Sequence, residues 1–69
     1  MAIYRITTFT PDGHDPQPRI FNDFAKASEF YNNATTDDCW YDKVKIDLCD
    51  FVDGELKAIH TMATWRNHL

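Results

Sequence analysis

Glycine and proline are scarce in this chain of 69 residues, which holds two glycines and three prolines. All but Gly54 fall within one segment, PDGHDPQP at residues 11–18. No flexible or proline-rich linker can be built from so few breakers, and no repeat or low-complexity tract is visible. The length leaves room for a single domain, residues 1–69.

Cysteine is nearly as rare. Cys39 and Cys49 are too few for a disulfide scaffold, and their spacing matches no zinc pattern. The expectation is two reduced thiols packed as small apolar groups. Positive charge is short as well, with seven bases against eleven acids and a formal net charge of −4. No Lys/Arg cluster forms an electrostatic stripe, so nucleic acid is a disfavoured partner. No apolar run is long enough to span a bilayer. The opening MAIYRITTF alternates in polarity and lacks the basic start and apolar block of a signal peptide, which makes the cytoplasm the expected setting.

What the chain does have is apolar and aromatic substance. Hydrophobic residues make up 43%, including two tryptophans, three tyrosines and five phenylalanines. This composition belongs to a folded globule rather than a disordered segment. A chain this short buries only about 60% of the surface exposed by its unfolded form, so its stability is expected to be marginal.

AIYRITTFT at residues 2–10 is rich in β-forming residues and reads as a strand. After the proline-containing loop, Arg19-Ile20-Phe21 suits a short strand returning beside the first. Asn22 or Asp23 can then cap a helix. Phe24, Ala27, Tyr31 and Ala34 recur at spacings of three and four, with Phe30 widening the stripe, and predict one apolar face on a helix over about 23–34. From Trp40 the period becomes two. Strands are expected over 41–51 and 56–65, joined by a type I′ turn at Asp53-Gly54. One helix can cover only one face of the sheet, so the expected fold is a two-layer α+β domain of order β-(β)-α-β-β.

The last hairpin leaves its register open. A regular ladder from Asp53-Gly54 sets Leu48 opposite Ile59, Ile46 opposite Thr61, Val44 opposite Ala63, Asp42 opposite Trp65 and Asp47 opposite His60. A bulge at Cys49-Asp50 slips it, placing Leu48 opposite Ala58, Ile46 opposite His60 and Val44 opposite Met62. The regular form is favoured because it buries Ile59 and Trp65. Either form leaves large apolar side chains on the face the helix cannot reach, and such patches commonly mark interfaces.

Motifs for chemistry are weak. His14 lies between Asp12 and Asp15, but no nucleophile or oxyanion site accompanies it, so a solvated turn is expected. Asp47, Asp50, Asp53 and Glu55 have the wrong spacing for a calcium loop. A Cys-His couple between His60 and either thiol lacks any group placed to lower a thiol pKa. Tyr4, Phe9, Trp40, Tyr41 and Trp65 could stack bases, but base-stacking proteins set such residues among lysines and arginines.

The expected function is therefore a small, non-enzymatic protein-binding module without metal or cofactor. It would be an accessory protein or inhibitor that docks on a larger protein through an exposed sheet face. Phe51, Leu56 and Met62 are the expected anchors, with Asp47, Asp50 and Asp53 steering toward a basic surface. The alternatives are a homodimer and a single-stranded nucleic-acid contact. In size, charge and layout the chain is similar to the compact accessory proteins that phages encode to bind host enzymes, an analogy that rests on no shared motif.

Overall fold

The computed structural model describes residues 2–13, 15–36 and 40–67. Its elements are β1 (Ile3–Phe9), β2 (Gln17–Phe21), α1 (Phe24–Ala34), β3 (Lys43–Val52) and β4 (Glu55–Arg66). One four-stranded sheet runs in the order β2-β1-β3-β4, with every neighbouring pair antiparallel. A single helix packs on one of its faces, which makes this a two-layer α+β domain.

The order follows from the connections. β1 turns back into β2 through the proline-rich loop, placing Ile6 opposite Arg19 and Tyr4 opposite Phe21. The short second strand is thus present and begins at Gln17, two residues earlier than Arg19. Asp23 supplies the helix cap. Its Oδ1 accepts from the Ala25 amide at 2.8 Å and the Lys26 amide at 3.4 Å, satisfying two amides that have no partner within the first turn. At the other end Thr35 Oγ1 donates to the Tyr31 carbonyl at 2.9 Å. The next strand, β3, lies on the far side of β1 from β2.

Strand alternation decides the core. Tyr4, Ile6 and Thr8 share a face with Leu48, Ile46 and Val44, their direct partners across the β1–β3 ladder. Ala27 and Ala34 of α1 close on Ile6, Val44 and Ile46, all of them buried. Small helix residues let the helix approach the sheet, while Phe21, Phe30, Tyr31, Tyr41 and Trp65 pack around the edge of this cluster. Burying an isoleucine such as Ile6 stabilises the fold by roughly 1.5–3 kcal/mol.

The helix lies over β1, β2 and β3 and leaves β4 largely outside its footprint. Phe24, counted with the helix stripe from its spacing, is 52% exposed for this reason. Its ring leans on Tyr4 at a centroid distance of 5.4 Å. The molecule measures 39 × 25 × 15 Å, with a radius of gyration of 12.3 Å. A compact chain of this length would have about 11 Å. The β3–β4 hairpin accounts for the difference, since β4 alone is 12 residues long and spans roughly 36 Å.

Neither expected register describes that hairpin. The turn is as read, with Asp53 at φ 53° and Gly54 at φ 82°, the pair of positive values that a type I′ turn requires. The ladder is regular from Val52–Glu55 to Cys49–Ala58. It then shifts twice. Leu48 pairs with His60 and Asp47 with Thr61, leaving Ile59 as an extra residue, and Ile46 pairs with Ala63, leaving Met62 as another. The bulges therefore lie in β4, not at Cys49-Asp50 in β3. Two single-residue slips cancel in parity, so Ala63 and Trp65 return to the helix side opposite Ile46 and Val44. Trp65 goes inward as the regular form required, but its partner is Val44 rather than Asp42. Ile59 does not go inward and is 58% exposed.

Candidate functional site

The exposed apolar residues concentrate on the β3–β4 hairpin. Phe51 is 61% exposed, and Val52, Ile59 and Met62 are exposed as well. Phe51 stands opposite Leu56, on the sheet face that carries Cys49 and Asp47 and that the helix does not cover. Asp50 and Asp53 are exposed beside it. Asp50 Oδ1 accepts from the Phe51 amide at 2.8 Å, which holds the carboxylate against the start of the tip. Glu55 completes an acidic rim, partly offset by Lys57, whose Nζ lies 4.0 Å from the Glu55 carboxylate. Phe51, Leu56, Asp50 and Asp53 are thus brought together at one end of the molecule.

Met62 and Asp47 lie elsewhere. Met62 faces the helix side, where it lines an open groove of about 190 Å³ with Phe24, Ser28, Tyr31, Ile46 and Ala63. Asp47 is on the same face as Phe51 but is fully buried. Its Oδ1 accepts from Thr61 Oγ1 at 2.7 Å, and its Oδ2 faces the Arg5 guanidinium at 3.7 Å and the Lys45 ammonium at 3.6 Å. A carboxylate enclosed in this way is neutralised from within and presents no field to a partner. The exposed carboxylates at the hairpin end are those of Asp50, Asp53 and Glu55.

The sequence pattern of β3 alone does not show this enclosure, because it depends on three strands. Arg5 comes from β1 directly opposite Asp47, Thr61 from β4 on the other side, and Lys45 from two residues back along β3. Cys49 follows on the same face, buried and free, with its thiol pushed up by burial, while the charge of Arg5 acts in the opposite direction. A protonated, enclosed thiol is a poor nucleophile. His60 pairs with Leu48 and so belongs to the other face of the sheet, which separates it from Cys49.

The aromatic residues are dispersed rather than laid out as a platform. Tyr4, Tyr41 and Trp65 pack against the core, Lys43 covers the Phe9 ring at 4.8 Å, and Trp40 is exposed before β3 begins. Among the described residues no group of three or more His, Cys, Asp or Glu is placed to share a metal ion. His14 and Cys39 lie outside the described residues. No helix among the described residues is long and apolar enough to cross a membrane. Comparisons of the chain with protein-family models, with curated proteins and with solved structures found no match.

Proposed function

We propose that this chain is a small, non-enzymatic protein-binding module that docks on a larger protein through the free end of its β3–β4 hairpin. The observation that supports this most is the position of Phe51. A phenylalanine 61% exposed at the tip of a projecting hairpin gains little from folding and much from being covered. Leu56 stands opposite Phe51 across the ladder, and Val52, exposed next to the turn, adds apolar surface. Asp50, Asp53 and Glu55 at the rim favour a partner whose apolar pocket is bordered by lysine or arginine.

The hairpin suits this role mechanically. Two β-strands with a two-residue turn form a stiff projection, so little conformational entropy is lost when the tip is seated. Binding by such an element blocks or bridges a surface without any chemical step.

The test is affinity capture from an extract of the cells that encode the chain, comparing wild type with Phe51→Asp. Proteins held by the wild type and lost by a variant with native circular dichroism support the reading. Equal retention by the two overturns it.

A further inference from the structure

The outer edge of β4 has no neighbouring strand among the described residues, and it is unusual for a free edge. Exposed edges are normally blunted by proline, by shortness, by charge, especially lysine, or by bulges, and of these β4 has the bulges. β2, the opposite edge, follows that rule with five residues that include Pro18 and Arg19. β4 is more than twice as long, and residues 58–65 contain no Lys, Arg, Asp or Glu. In a chain of net charge −4 this is the stretch on which a second copy meets no repulsion.

We infer that β4 pairs antiparallel with β4 of a second copy of this chain, about a two-fold axis at Thr61. The sheet then runs continuously as β2-β1-β3-β4-β4-β3-β1-β2.

The bulges select that centre. Residues that oppose one another across an antiparallel ladder must lie on the same face. A regular strand satisfies this about any of its residues, but two bulges remove the freedom. About Thr61 it survives for each pair whose two faces are fixed; Ile59, the extra residue of a bulge, falls opposite Ala63. Leu56 and Arg66 both lie on the uncovered face, Lys57 and Trp65 both on the helix side, and Ala58 and Thr64 both on the uncovered face. His60, paired with Leu48, and Met62, in the groove beside α1, are both on the helix side. Moving the centre to His60 sets Ala58 against Met62, on opposite faces, and moving it to Met62 sets His60 against Thr64, also on opposite faces. Of these three centres only Thr61 keeps the compared pairs on common faces, and its ladder spans residues 56–66.

Charge agrees with this arrangement. The tip of the hairpin carries Asp50, Asp53 and Glu55 against Lys57, and its base carries Lys43, Lys45 and Arg66 against Asp42. Antiparallel pairing brings the acidic tip of each copy to the basic base of the other. It also places Lys57 beside the partner's Trp65, a cation next to an indole.

The same axis, normal to the sheet, sets both helices on one face. The groove bounded by Phe24, Tyr31, Met62 and Ala63 then lies on the same face as that of the partner, with Met62 opposite the partner's His60. The free chain exposes 4877 Å², against about 4,500 Å² for a compact chain of its mass, so it has surface to cover. Phe51, on β3 and away from the pairing edge, stays exposed. The dimer is therefore independent of the docking reading.

The experiment measures mass in solution by sedimentation equilibrium for the full chain up to ~1 mM, alongside two double variants. The wild type is expected to reach twice 8.1 kDa. His60→Lys with Met62→Lys sets like charges opposite one another twice and is expected to weaken association by about tenfold or more. His60→Lys with Met62→Glu sets opposite charges at the same places and is expected to restore it. Both positions are exposed, and circular dichroism verifies the fold. A wild type that remains at 8.1 kDa overturns the proposal. Association unaffected by the Lys/Lys pair, or not restored by the Lys/Glu pair, overturns the register. Phe51→Asp leaves the mass unchanged, which separates this outcome from the docking test.

Discussion

Thr61 Oγ1 donates a hydrogen bond of 2.7 Å to Asp47 Oδ1, linking β4 to a carboxylate that is fully buried on the face of the sheet without a helix. The remaining oxygen of Asp47 has no hydrogen bond and depends on the fields of Arg5 and Lys45. Both cations are about a third exposed, so each of those pairs is worth less than a fully enclosed one. The Thr61 bond carries more weight. Thr61→Val is expected to destabilise the fold by about 1.5–3 kcal/mol, as for a hydrogen bond to a charged group. Asp47→Ala is expected to cost at least as much, since it also leaves Arg5 and Lys45 facing each other. Urea denaturation measures both. Stability equal to wild type in Asp47→Ala would show that the carboxylate is a passenger.

The turn carries a second expectation. Gly54 sits at φ 82° with open space where a Cβ would go, so the cost of a side chain there is one of backbone conformation alone. Gly54→Ala is expected to lose about 1–2 kcal/mol. Asp53, at φ 53°, is in a region that asparagine tolerates well, so Asp53→Asn should be neutral or slightly stabilising. Comparable losses at the two positions would count against a type I′ turn.

These two sites differ in how openly the sequence displays them. Asp53-Gly54 announces a turn locally, through the two residue types that accept positive φ, and the alternation of Val44, Ile46 and Leu48 marks the helix side of β3 without reference to any other strand. The stripe on α1 is equally local, apart from Phe24, whose exposure depends on where the helix stops covering the sheet. The bulges at Ile59 and Met62 leave no comparable trace. An extra residue in one strand is defined by the strand it faces, and neither side chain has a type that demands it. The burial of Asp47 is more distant still, because it is produced by Arg5 and Thr61 from two other strands. An aspartate among alternating residues reads as solvent-facing until those neighbours are known. For the same reason the turn alone places Phe51 opposite Leu56, while Met62 could not be placed beside the helix.

The helix cap offers a sharper local contrast. Asn22 and Asp23 are both of a type that caps helices, and the structure assigns the role to Asp23. Asp23→Ala is expected to cost about 1 kcal/mol, and Asn22→Ala much less. For a domain of this size a loss of 1 kcal/mol lowers the melting temperature by roughly 4–8 °C. Thermal denaturation of the two variants side by side checks the assignment, and equal shifts would contradict it.

Cys49 gives the pH dependence a direction. Burial raises its thiol pKa in the folded chain above the ordinary value, so the unfolded chain releases this proton first as pH increases. The stability linked to the protonated thiol is therefore complete below the unfolded pKa, about 8.5, and is lost progressively above it. Tyr31, also raised by burial, extends the decline above its ordinary value of 10.0. Cys49→Ala removes the first of these contributions. Its stability is expected to be lower at pH 7, through the lost packing of sulfur, but flatter between pH 8 and 10. Urea midpoints collected across that range for both proteins decide the matter. Parallel curves would mean that the Cys49 thiol titrates alike in the folded and unfolded chains, and that its burial in the sheet has no energetic consequence for ionisation.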